Sequence, residues 1–160
     1  CGAGVAVVRA MPNTPALVGQ GASGIAGGTH ATQADLEWAQ AVLGSVGIVV
    51  TVPEAQLDAV TGLVGSGPAY LFLVAEALMD AGVAEGLPRD TVELLIRQLF
   101  VGSAALLAQG QDPKDLRASV TSPGGTTAAG IAILEAQAIR TAFAEAVRAA
   151  TERSRQLGGQ

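Results

Sequence analysis

Apolar residues follow two rhythms along this chain, and the change between them falls near Pro53. Before it, short apolar runs are punctuated by glycine and proline. Val5-Ala6-Val7-Val8 and Gly47-Ile48-Val49-Val50-Thr51-Val52 each read as a buried strand. Pro12 and Pro15 end the first of these and force an extended loop. Thr32 is an N-cap for a helix over Gln33 to Leu43, with Asp35 in its first turn and Gly44 as its stop. Leu36, Ala39, Val42 and Leu43 share one face of it, and Trp38 borders that face. Strand, helix and strand in succession suggest the tail end of an α/β sheet.

After Pro53 the strand rhythm stops and helical patterns succeed one another. Glu54 to Leu63 is a first helical stretch. Gly65-Ser66-Gly67-Pro68 breaks or bends it, with Pro68 suited to the first turn of the next helix. From Ala69 to Met79 the only charge is Glu76, and Tyr70, Leu71, Phe72, Leu73, Val74, Leu78 and Met79 wrap nearly all round. A helix apolar on every face has to be buried on every face. The remaining helices offer limited cover, so a second subunit is expected, with the centre of a monomeric bundle as the alternative. Pro88 opens a helix from Arg89 to about Ala108, which Gly110 stops. Asp112-Pro113-Lys114-Asp115 is a strong helix start, with its acid, proline and second acid at the cap, first and third positions. Two last helices are expected near Ala128 to Ala136 and Ala138 to Leu157. Arg140, Glu145, Arg148, Glu152, Arg153 and Arg155 on the last read as a solvated face. The pattern predicts a mainly α chain: residues 1–52 as the α/β remnant, residues 53–160 all helical.

Composition narrows the function. Hydrophobic residues at 49% suffice for a core, and a net charge of -5 with no basic stripe argues against nucleic acid. The longest nearly uncharged helical run, Pro68 to Met79, is short for a bilayer, and no signal peptide opens the chain. A single cysteine, Cys1, excludes an internal disulfide framework and a thiolate metal cluster. These point to a reducing cytoplasm. Gly19 to Gly24 spell G-x-G-x-x-G, but a dinucleotide fingerprint needs a strand before it and a helix opening at its third glycine. Pro15 lies just upstream and Gly27-Gly28 just downstream, so a short strand with glycines at its ends fits better. His30 has no second ligand nearby and reads as a surface or capping residue.

The chemistry concentrates in Val120-Thr121-Ser122-Pro123-Gly124-Gly125-Thr126-Thr127. Proline and two glycines stop the preceding helix, and two threonines introduce the next. A helix N-terminus carries unpaired N–H groups and about half a positive charge. Gly124 and Gly125 allow close approach of a ligand, and Ser122, Thr126 and Thr127 add hydroxyls. Together these suit a carboxylate or phosphate. The same residues also make an ordinary capped turn, and local chemistry alone favours that second reading.

A resemblance favours the first. Leu116 to Ile131, continuing to Leu134-Glu135, resembles the signature of pyrroline-5-carboxylate reductases, the proline-forming enzymes. Arg9-Ala10-Met11-Pro12-Asn13-Thr14-Pro15, Asp58 to Tyr70, and Asp80-Ala81-Gly82-Val83 with Gly86-Leu87-Pro88-Arg89 agree with the same family in the same order. Val64 departs from the serine more frequent there, and the family's first half is not in this sequence. The resemblance implies the remnant of a Rossmann-type cofactor domain followed by a helical dimerisation domain, interlocked as a homodimer or larger homo-oligomer. It implies hydride transfer from NADPH or NADH to the C=N bond of 1-pyrroline-5-carboxylate. Carried over by motif, Ser122, Gly124, Gly125, Thr126 and Thr127 would grip the substrate carboxylate, with the Thr127 hydroxyl catalytic on the ring-nitrogen side. Thr61 would bind substrate close to the nicotinamide, and Met11, Pro12 and Asn13 would line the cofactor's reactive end.

No Lys, His, Asp or Glu lies in the turn, which counts against hydrolytic chemistry and suits a reaction governed by alignment. The chain opens at Cys1-Gly2 without methionine and lacks the strand-and-glycine unit that would hold the pyrophosphate, so a fragment or processed piece, inactive alone, is expected. Two rivals stand beside this reading. One is a hydroxyacid dehydrogenase with a helical second domain, whose active-site lysine Lys114 does not match. The other is a helical assembly module that keeps the loop without the catalysis.

Overall fold

The computed structural model describes residues 4–158. Cys1 lies outside them. The architecture is mainly helical with one small sheet. It resolves into two compact units: one holds the chain to Tyr70 and again from Phe143, and the other is Leu71–Ala142.

The first unit is built on strands β1 (Val8–Met11), β2 (Gly21–Gly27) and β3 (Gly47–Thr51), in that order across the sheet. β1 runs antiparallel to β2, from Val8 opposite Gly27 to Met11 opposite Gly24. β2 and β3 are parallel, from Gly21 opposite Gly47 to Ile25 opposite Thr51. Helix α1 (Gln33–Gly44) makes the crossover between them. Thr32 is its N-cap, as expected, and Asp35 completes a capping box, each bonding the other's backbone N–H. The core lies on the central strand: Ile25 and Leu57 are fully buried, with Ala26 and Ala39 nearly so.

Three expectations for this unit change. The first strand begins where Val5 to Val8 was expected to end, and Val5 and Val7 are exposed. Its extent is set by its partner, because pairing continues to Met11 before Pro12 removes the next donor. The loop after it is not fully extended: Thr14–Val18 forms a 3-10 turn with a proline in its first turn. β3 is covered on one side only, since Ile48 is 69% and Val50 51% exposed. Gly21 and Gly24 belong to a strand rather than a strand-to-helix turn, as the rejection of the glycine fingerprint required.

Beyond Pro53, a 3-10 turn (Glu54–Gln56), helix α2 (Leu57–Val60), a π-helical turn (Thr61–Gly65) and helix α3 (Gly67–Ala84) succeed one another almost without interruption. The Gly-Ser-Gly-Pro segment therefore bends the helix without ending it. The resulting run, Glu54–Ala84, is 31 residues long and by length and composition apolar enough to cross a membrane. The shortness expected of Pro68 to Met79 thus no longer argues against a bilayer. Helix α7 (Ile139–Gly158) returns to this unit. Its Thr151 is buried against Gly62, and the Ser154 hydroxyl donates to Asp58 at 2.6 Å.

The second unit holds most of α3, then α4 (Arg89–Leu107), α5 (Pro113–Ser119) and α6 (Thr126–Ala136). The α5 start is as expected, the Asp112 carboxylate accepting from the Lys114 N–H at 2.7 Å. Among the described residues, Val92 is the only buried apolar side chain of this unit, packed beside Gly82. Phe72, Leu73, Leu94 and Ile133 are each more than 60% exposed. A helical unit with so little internal core leaves its apolar faces open to a partner.

Candidate functional site

The residues singled out from sequence fall into two groups, one in each unit. In the first unit, Met11, Asn13 and Thr61 converge on the π-helical turn. The Asn13 side chain spans two elements: its Oδ1 accepts from the Ala22 N–H at 2.9 Å, and its Nδ2 donates to the Val64 carbonyl at 3.0 Å. This fixes the β1–β2 loop against the helix. The Met11 methyl lies over Gly65, where a Cβ would come within 2.7 Å of it, and the Thr61 methyl lies on the same side at 3.7 Å. The Thr61 hydroxyl donates to the Leu57 carbonyl at 2.9 Å, which leaves its oxygen free to accept a further hydrogen bond. Pro12 is exposed between Met11 and Asn13.

In the second unit, Ser122 to Gly125 form a tight turn in which the Gly125 N–H donates to the Ser122 carbonyl at 3.0 Å. Gly124 sits at φ +71°, in the left-handed region where a Cβ is strained. At Gly125 a Cβ would displace the Ser122 Oγ, 2.5 Å away, and crowd the Ser122 carbonyl oxygen at 3.1 Å. Gly125 is the N-cap of α6, and no side chain caps that helix. The helix starts at Thr126, earlier than the Ala128 expected, so both threonines lie in its first turn. Ser122, Thr126 and Thr127 are exposed. At the other end of α6, Arg140 bonds Glu135 at 2.7 Å and Arg117 stands 3.7 Å away. The Arg140 hydrogen bonds hold the Glu135 carboxyl below its usual range, burial opposing and both arginine charges reinforcing. No cluster of three or more metal-ligating side chains occurs among the described residues.

A model described as pyrroline-5-carboxylate reductase dimerisation matches residues 54–157, which takes in the π turn, the Ser122 turn and every helix from α2 onward. The chain belongs to the pyrroline-5-carboxylate reductase family. A pyrroline-5-carboxylate reductase from Synechocystis sp. is 50% identical over 154 residues, covering 96% of this chain and 58% of that protein. The structure of a pyrroline-5-carboxylate reductase from Coxiella burnetii superposes with a TM-score of 0.93 at 40% identity, over 98% of this chain and 58% of that one. The Plasmodium falciparum pyrroline carboxylate reductase, solved with NADP bound, gives 0.89 at 35% identity, over 98% and 64%. The chain thus spans about 58% of the length of the curated reductases it matches.

Sequence reading missed three structural supports of this region. Tyr70 donates to the Gly62 carbonyl at 3.1 Å, Asn13 bridges Ala22 and Val64, and Thr151 closes over Gly62. One sequence signal did exist. Pro68 has no N–H, so the carbonyl four residues before it, that of Val64, needs a donor from elsewhere.

Proposed function

We propose that this chain is the substrate-binding and dimerisation part of an NADPH- or NADH-dependent pyrroline-5-carboxylate reductase, which reduces the C=N bond of 1-pyrroline-5-carboxylate to give L-proline. The observation that carries this reading is the uncapped start of α6 behind Gly124 and Gly125. Its first amides are offered to an anion, and the substrate's one fixed charge is a carboxylate. Ser122, Gly124, Gly125, Thr126 and Thr127 grip that carboxylate, and the Thr127 hydroxyl acts toward the ring nitrogen. Thr61 accepts a hydrogen bond from the reacting pair beside the nicotinamide, and Met11, Pro12 and Asn13 line the nicotinamide face. The reduced nicotinamide, when bound, supplies the hydride. These residues orient donor and acceptor; a protonated imine is already electrophilic, so no strong acid or base is required.

The loop held by Asn13 suits the nicotinamide end, but Gly19 to Gly24, being turn and strand, supply no pyrophosphate cradle. On this reading residues 1–52 are the remnant of a Rossmann-type dinucleotide-binding domain and residues 53–160 the helical dimerisation and substrate domain. The end of β3 at Thr51 and the start of the matched family model at residue 54 support that division. Alone, the 160-residue chain is inactive for want of tight cofactor binding. The exposed apolar faces of α3 and α4 meet a second copy of the chain rather than a bilayer, because the dimerisation model covers both helices. The assembly is cytoplasmic.

Calorimetry tests the site directly. Proline titrated into the chain should give saturable heat that Thr127→Ala abolishes; a non-catalytic assembly module would give none. A turnover assay with NADPH and 1-pyrroline-5-carboxylate should show no appreciable rate with the chain alone, and appreciable turnover would refute its inactivity.

A further inference from the structure

Two carbonyls of the π-helical turn lack a backbone donor, Gly62 through the turn itself and Val64 through Pro68, and two side chains supply one. In an α-helix the Gly62 carbonyl would take the Ser66 N–H, but that N–H donates to Thr61 at 2.9 Å, five residues back. The Val64 carbonyl would take the N–H of residue 68, which is proline. The Tyr70 hydroxyl donates to the first carbonyl at 3.1 Å and Asn13 Nδ2 to the second at 3.0 Å. Gly62 is buried, so leaving its carbonyl unpaired would be costly. The Tyr70 bond thus favours the π turn over a regular α-helix, the Asn13 bond ties the turn to the β1–β2 loop, and the turn sets where Thr61 stands. An extra residue in one helical turn rotates the helix before it by roughly 100° relative to the helix after it.

We propose that Tyr70 and Asn13 are positioning residues, whose hydrogen bonds to the Gly62 and Val64 carbonyls lock the π turn and hold the Thr61 oxygen as an acceptor toward the reacting pair. This rests on the reading of Thr61 as a substrate-site residue. Tyr70→Phe removes one hydroxyl and keeps the ring packing. Asn13→Asp keeps the acceptor for the Ala22 N–H and removes the donor to Val64.

The test combines amide exchange with proline calorimetry on the chain as it stands. Tyr70→Phe should speed exchange at the Ser66 amide about threefold to tenfold, as expected for one neutral hydrogen bond, and leave the Val92 amide unchanged. It should weaken proline binding by a similar factor, and add nothing once Thr61→Val has removed the acceptor. Asn13→Asp should free the turn from the β1–β2 loop and weaken proline binding in the same direction. Unchanged exchange at Ser66 overturns the lock. Faster exchange with unchanged proline affinity, or losses that multiply with Thr61→Val, make the two bonds structural only and overturn the positioning role. If the wild-type chain gives no proline heat at all, the substrate-site reading falls, and the inference with it.

Discussion

Gly62→Ala probes the contact on which the first unit's helical edge depends. An added Cβ at Gly62 would lie 2.8 Å from the Val147 carbonyl oxygen and 2.9 Å from the Thr151 N, and closer still to the Thr151 hydroxyl. Two of those atoms are backbone of α7 and cannot move without the helix. Overpacking of this kind costs about 1–3 kcal/mol. Alanine's better helix propensity returns at most about 1 kcal/mol. The balance is a loss of roughly 1–2 kcal/mol, which for a chain of this size is a drop in Tm of about 2–8 °C. Differential scanning calorimetry reads it, with Gly44→Ala as the matched control, because nothing lies within 4 Å of a Cβ there. Gly44→Ala should leave Tm within a few degrees of wild type. Adding Thr151→Ala to Gly62→Ala should restore only part of the loss, since the backbone contacts remain. An unchanged Tm for Gly62→Ala, or complete rescue by Thr151→Ala, would refute the close approach of α7 to the π turn.

The geometry sets three further outcomes. Gly124→Ala forces a side chain into the left-handed region at φ +71°, costing about 1–2 kcal/mol, and should lower both Tm and proline affinity; unaltered affinity would separate the turn from substrate binding. Leu73→Glu, at a position 64% exposed in the single chain, should shift sedimentation velocity toward monomer, and an unchanged assembly would remove α3 from the interface. The Thr32 hydroxyl, and secondarily its N–H, hold the Asp35 carboxyl below its usual range, so this contribution to stability is full above the ordinary carboxylate pKa and fades as pH falls through the lowered one. Thr32→Ala should therefore lower Tm at neutral pH, with a gap that narrows in acid; a gap that widens in acid would reverse the assignment.

Much of the local order was legible because it is set by neighbours in sequence. Thr32 and Asp35 specify the α1 capping box within one turn, and Asp112-Pro113 specifies the α5 start in the same way. Gly124 marks the α6 turn because its backbone conformation calls for glycine, and Gly125 because the Ser122 side chain and carbonyl crowd it. Periodicity separated the strand-bearing stretch from the helical one at Pro53, and the apolar wrap of α3 signalled a face without cover.

The features that sequence alone could not decide depend on distant partners. β1 took Val8–Met11 rather than Val5 to Val8 because a strand's extent is fixed by its pairing, here with Gly24 to Gly27. The Gly-Ser-Gly-Pro bend follows a π turn inside a continuous helix, where Tyr70 supplies a donor to the Gly62 carbonyl and Asn13, 51 residues away from Val64, ties the turn to the β1–β2 loop. Glycine at position 62 looks like flexibility in sequence; in the fold it is the space that α7 needs, 85 residues further on at Val147. Short-range hydrogen bonds and dihedral limits are written in adjacent residues, whereas strand pairing, carbonyl satisfaction and helix contact are settled when remote segments meet.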